Sequence, residues 1–110
     1  MKNVILNMNE NNTPKKLIIK VIEIKGNCPV YKIGDKMVIN GPEIDLQQTD
    51  KVCVHALFSL GTFIVALREG LSSKSLGLAK EDNKSAYFQC LDPGKPYTNG
   101  GTVIFKATQV

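Results

Sequence analysis

From Leu17 the chain reads Leu-Ile-Ile-Lys-Val-Ile-Glu-Ile-Lys, with Leu17, Ile19 and Val21 on one face of an extended segment and Ile18, Ile22 and Ile24 on the other. A β-branched run that is apolar on both faces predicts a central strand covered twice. Gly26-Asn27-Cys28-Pro29 ends it, since glycine and asparagine permit positive φ and proline cannot donate to a ladder. Ile33-Gly34-Asp35 is a turn signal, the aspartate bonding local amides. Lys36 to Asn40, with Met37 and Ile39 on one face, predicts a second strand that closes at Gly41-Pro42. Glu43 to Gln48 reads as a loop. Thr49 or Asp50 then suits a helix N-cap, and the pattern predicts a helix over 51–69 with Gly70 as the residue just past its end. Leu71 to Ser85 is polar and weakly patterned, which predicts a mobile loop. Ala86 to Leu91 predicts a third strand ending at Asp92-Pro93-Gly94. Asn99-Gly100-Gly101 turns the chain into a fourth strand over Thr102 to Thr108.

The order β-β-α-β-β predicts an α+β fold, a small antiparallel sheet packed against one long apolar helix. Residues 1–14 are rich in asparagine and lack periodicity, which predicts a loose N-terminal arm whose Val4-Ile5-Leu6 could add an edge strand to a partner. Residues 15–110 make a single α+β domain, consistent with 110 residues, 43% apolar and 22% charged, in the whole chain.

The helix carries more apolar surface than one sheet can cover. His55, Ser59, Thr62 and Glu69 form its only polar stripe, while Val52, Val54, Ala56, Leu57, Phe58, Leu60, Phe63, Ile64, Val65, Ala66 and Leu67 fill most of the circumference. A surface helix needs an apolar arc of only about 100° or a little more. The excess predicts a homo-oligomer, in the simplest case a dimer, formed through helix 51–69. The competing reading folds loop Leu71 to Ser85 over that face as a lid.

The apolar stretch from Val52 to Leu67 is short of a membrane span, and Val4-Ile5-Leu6 is too short for a secretory signal, so a soluble cytoplasmic protein is expected. The net charge is +4, but Arg68 is the only arginine among 14 cationic residues, and the lysines are scattered along the chain. Phosphate clamping and base readout lean on the arginine fork, so little supports a nucleic-acid role. Asn99-Gly100-Gly101 lacks the strand-before, helix-after setting of a phosphate loop, which argues against nucleotide binding.

Chemistry concentrates in three cysteines, Cys28, Cys53 and Cys90, each at the end of a predicted element. An odd count with no C-x-x-C pair argues against a disulfide framework. Cys53 in a first helical turn would feel unpaired amides and the positive dipole end, which stabilise a thiolate. Cys28, before Pro29, and Cys90, at a strand end, add weight only by convergence. If the first and third strands run in the same direction, all three thiols arrive at one edge of the sheet. Zinc would need a fourth ligand, for which His55 or Asp92 is the local offer, whereas three thiolates with an open position suit an iron–sulfur cluster. His55, the sole histidine, also invites a pairing with Cys53 as base and nucleophile. Against each stands the plain reading, a buried cysteine or a hydrogen-bonded histidine.

Val21-Ile22-Glu23-Ile24-Lys25-Gly26-Asn27-Cys28-Pro29, Ile33-Gly34-Asp35, Cys53 with Ala56 and Leu57, and Cys90-Leu91-Asp92-Pro93 before Val103-Ile104-Phe105 form an ordered motif, G-x-C, G-D, C, C-x-D-P. It resembles a family of small uncharacterised bacterial and archaeal domains, common in anaerobes and sometimes tandemly repeated. The resemblance spans about Leu17 to Lys106 and implies that Cys28, Cys53 and Cys90 occupy the family's cysteine positions; it implies no activity. Three functional expectations follow. The first is a cysteine-based metal or iron–sulfur redox accessory protein of anaerobic metabolism, serving a larger enzyme partner. The second is a non-catalytic homo-oligomeric module with buried cysteines. The third is a thiol enzyme using Cys53 and His55.

Overall fold

The computed structural model describes residues 15–81 and 84–110; the predicted N-terminal arm, with Val4-Ile5-Leu6, lies outside them. The elements are β1 (Lys16–Gly26), β2 (Lys36–Asn40), β3 (Glu43–Ile44), α1 (Val54–Arg68), β4 (Ser85–Gln89) and β5 (Gly101–Gln109). They build an α+β fold in which one antiparallel sheet has the strand order β3-β2-β1-β5-β4. The helix packs across β1 and β4. The predicted order therefore gains a strand: the Glu43–Gln48 loop begins with two residues that pair with β2 through Ile39 and Ile44.

β1 is central, as its apolar run predicts, but its two faces differ: on the side away from the helix Ile18 is half-buried beside the buried Val38, and exposure rises toward Lys20 and Ile22. Leu17, Ile19 and Val21 are fully buried in the core, while Lys20 is exposed and Ile22 is 41% exposed on the other side. A bulge at Ile22 shifts the register between Val21 and Glu23, so that Ile24 pairs with Val103 and joins the core face instead of the opposite one. The bulge forms where the turn Gly34-Asp35 docks: Val21 N–H donates to Asp35 O at 2.8 Å and Gly34 N–H donates to Val21 O at 2.9 Å. Beyond it, β1 and β5 close on a glycine pair, Gly26 opposite Gly101. A Cβ at Gly101 would lie 2.6 Å from Asn27 N and from Lys25 O, so the two backbones approach in a way that only glycine allows.

The helix starts later than the sequence predicts. Thr49 and Asp50 do not cap it; their side chains accept the amides of Val38 (3.0 Å) and Lys36 (2.9 Å), tying the chain to β2. Cys53 takes the N-cap position instead and makes no side-chain capping hydrogen bond. At the other end Gly70, at φ +88°, closes the helix as expected. Its amide reaches Leu67 O and that of Leu71 reaches Ala66 O, the paired bonds of a Schellman motif. Ala56, Leu60 and Leu67 are buried against the sheet, and Phe63 tilts against Phe88 with ring centroids 5.9 Å apart. On the side facing away, Val54 (62%), Phe58 (75%) and Val65 (52%) are exposed.

From the long loop after α1, Leu76 and Leu78 pack onto the core. The loop runs along β4, to which Leu78 O is joined by the Tyr87 amide at 2.8 Å. It leaves the outer stripe of the helix open and is no lid over it. Among the described residues no helix is long and apolar enough to cross a membrane.

Candidate functional site

Because β1 and β4 both run antiparallel to β5, they run in the same direction. Cys28, two residues past the end of β1, and Cys90, directly after β4, therefore leave the sheet at the same end. The helix begins at that end too. Ser59 near its start bonds the carbonyl of Gln89, while Leu67 O near its finish accepts from Gln109 Nε2 at 2.7 Å, at the end of β5. The condition that the sequence sets for convergence, equal direction of the first and third strands, is met.

Within that end the three thiols occupy different surroundings. Cys90 is 6% exposed and belongs to the core. Its sulfur accepts the Val103 amide at 3.3 Å and lies 3.7 Å from Gly101 O, so the β4–β5 ladder holds it from both sides. Cys28 and Cys53 are half-buried and packed against the core from outside. All three are free thiols. Among the described residues, no three His, Cys, Asp or Glu side chains form a group that could hold a metal ion.

What joins Cys28 and Cys53 is Tyr31, a residue that the sequence reading passes over. Its amide donates to Cys28 Sγ at 3.3 Å, closing the turn through Pro29. Its hydroxyl accepts the Cys53 amide at 3.1 Å and donates to Lys51 O at 3.4 Å. The ring stands edge-on to Phe105, centroids 5.4 Å apart and planes at 84°. Tyr31 thus satisfies from another segment the amide of the N-cap residue, one of the N-terminal amides that find no partner within a helix. Burial pushes its phenol above the ordinary value of 10.0, an effect to which Cys53 and Cys28 add while the bond from the Cys53 amide opposes it. The available signal was a tyrosine two residues after Cys28-Pro29, an amphipathic ring whose polar tip needs a partner once buried.

Asp92, offered as a zinc ligand, is committed locally. It accepts the Thr98 hydroxyl and, at 2.8 Å, the Gly94 amide, and so pins the turn that leads into β5. The Thr98 bond first, then the Gly94 amide and the charge of His55, hold its carboxyl below the ordinary 3.8. His55 is exposed at the head of α1, and no hydrogen bond among the described residues joins it to Cys53. It lies near enough to Asp92 for its charge to be the smallest of the influences on that carboxyl.

The site therefore consists of two half-buried thiols around a shared tyrosine, a third thiol built into the ladder, and an Asp92 turn beside the sole histidine. Comparison of the chain with family models, curated proteins and solved structures gives no match.

Proposed function

We propose that this protein is a non-catalytic, homo-oligomeric interaction module that associates through the outer face of α1. The supporting observation is the stripe Val54, Phe58 and Val65, 62%, 75% and 52% exposed on the side of the helix opposite the buried Ala56, Leu60 and Leu67. Gly61, exposed within the same stripe, lets a second helix approach closely. At about 25 cal/mol per Å² of apolar area, covering three such side chains and their neighbours on each copy is worth several kcal/mol. A two-fold axis through the stripe buries it against itself. Sedimentation at micromolar concentration is expected to show a dimer, and Phe58→Glu a folded monomer. A 12.1 kDa species alone for the unaltered chain removes the proposal.

A second reading rests on the shared end of the sheet. Cys28 and Cys53 flank Tyr31 and Cys90 leaves the neighbouring strand end, an arrangement that supports a cysteine-based metal or iron–sulfur accessory role in the cytoplasm, with ligands completed between copies or by an enzyme partner. Thiolate coordination by such cysteines would supply a redox or structural centre. Purification without oxygen, followed by metal analysis and a visible spectrum, tests it. No stoichiometric iron or zinc and no thiolate charge-transfer band would end this reading and leave the first intact.

A further inference from the structure

We propose that the sheet face turned away from α1 binds single-stranded nucleic acid, with phosphates along a row of lysines and a base against Tyr87. Lysines that are scattered along the chain are neighbours across the sheet. Lys20 pairs with Lys36 on β2 and with Lys106 on β5, and Lys106 pairs with Tyr87 on β4. One transverse row thus reads Lys36, Lys20, Lys106, Tyr87. Each of the four lies between residues that point into the core: Ile19 and Val21 around Lys20, Phe105 and Ala107 around Lys106, Ala86 and Phe88 around Tyr87, and Met37 next to Lys36. Strand alternation therefore places all four side chains on the face away from α1, where Lys20 and Tyr87 are exposed and Lys36 and Lys106 half-buried.

No ion pair or side-chain hydrogen bond engages the ammonium groups of Lys20, Lys36 or Lys106 among the described residues. Of the nearby acids, Asp50 accepts the Lys36 amide at the β2 end and Glu23 lies 3.9 Å from Lys25, while Glu81, next to Lys80, lines the recess beside Tyr87. Like charges set directly opposite each other across strands are unfavourable, so an anion lying over the row would relieve their repulsion.

The geometry selects the anion. Two interstrand steps of about 4.8 Å give a row about 10 Å long, a straight array of three cations of the kind that tracks the backbone of a single strand. In line with the row, Tyr87 is 42% exposed and forms one wall of a recess of about 710 Å³ whose other walls are Gly77, Leu78, Ala79, Lys80 and Glu81. A linear array of cations that ends on an exposed ring and a cavity of ligand size is the pairing used to track a strand and stack its bases. A lipid surface would use the lysines and could use the ring, but would leave the recess without a role.

The test is fluorescence anisotropy of the full chain with a labelled oligothymidine over a salt series. For three phosphate contacts, log affinity should fall against log salt with a slope of about −2, and Lys20→Gln with Lys106→Gln together should reduce that slope by about 1.4. Tyr87→Leu should weaken binding about tenfold and leave the slope unchanged. All three positions are outside the core, so melting no lower than that of the parent would certify the variants as folded. The proposal is overturned by absence of binding at low salt, or by a slope that the double lysine variant does not alter. It is equally overturned if phosphatidylserine vesicles bind as tightly as the oligonucleotide and Tyr87→Leu has no effect.

Discussion

At the scale of single residues, the thiols were visible from position alone but their organiser was not. Cys28, Cys53 and Cys90 stand out because cysteine is scarce and each marks an element boundary. Tyr31 carries no such mark, since its importance comes from two bonds to residues 20 and 22 positions further on, and spacing rules do not reach that far. Its removal is predicted to be felt at the start of α1. Tyr31→Phe keeps the ring against Phe105 but leaves the Cys53 amide without its acceptor, for which a loss of about 1–2 kcal/mol is expected by urea denaturation. Alkylation of Cys53 should also quicken as the first turn frays. A variant as stable as the parent, with the same Cys53 labelling rate, would show that the hydroxyl does not hold the helix start.

At the scale of elements, β1, β2 and the end of α1 could be read closely from the chain, because alternation and a C-terminal glycine act locally. The start of the helix could not. Thr49 and Asp50 are good caps in isolation, yet amides of β2 compete for the same oxygens, and those partners come from a segment 11 and 14 residues earlier. The assignment of Ile24 to the wrong face has a related origin: the bulge at Ile22 reverses the alternation beyond Val21, and nothing in the strand's own pattern marks it. The lysine row makes a prediction at this scale. Lys20→Glu replaces two like-charge cross-strand pairs by two opposite ones, so stability should rise by about 1 kcal/mol at low ionic strength. The gain should shrink at high salt, where surface charges are screened. Urea titrations at two salt concentrations would measure it, and an unchanged midpoint at low salt would argue against close apposition of these side chains.

For the whole molecule, the sequence established that three element ends could meet only if two strands shared a direction. The strand order delivers that condition, while side-chain packing decides that Cys90 lies inside and Cys28 and Cys53 outside. Direction is a property of topology and follows from hairpin and crossover connections; relative depth depends on packing that no linear pattern encodes. The two apolar sides of α1 show the same division. Hydrophobic content foretold the excess, but only the fold tells Phe58 from Leu60. If the outer side pairs two copies, the melting temperature of the unaltered chain should rise with protein concentration, and that of Phe58→Glu should not. Equal concentration dependence in both would place any association elsewhere.

The margins of the sheet bear on how such a molecule avoids uncontrolled assembly. β3, on one flank, is two residues long, and on the other the Tyr87 amide of β4 is already taken by Leu78. Among the described residues, neither border presents a long run of free amides and carbonyls for a foreign strand, which is the usual template for fibrils. Growth by strand addition is thereby disfavoured at both flanks. Contacts made through the helix or the lysine-bearing face can saturate as closed complexes instead of propagating without limit.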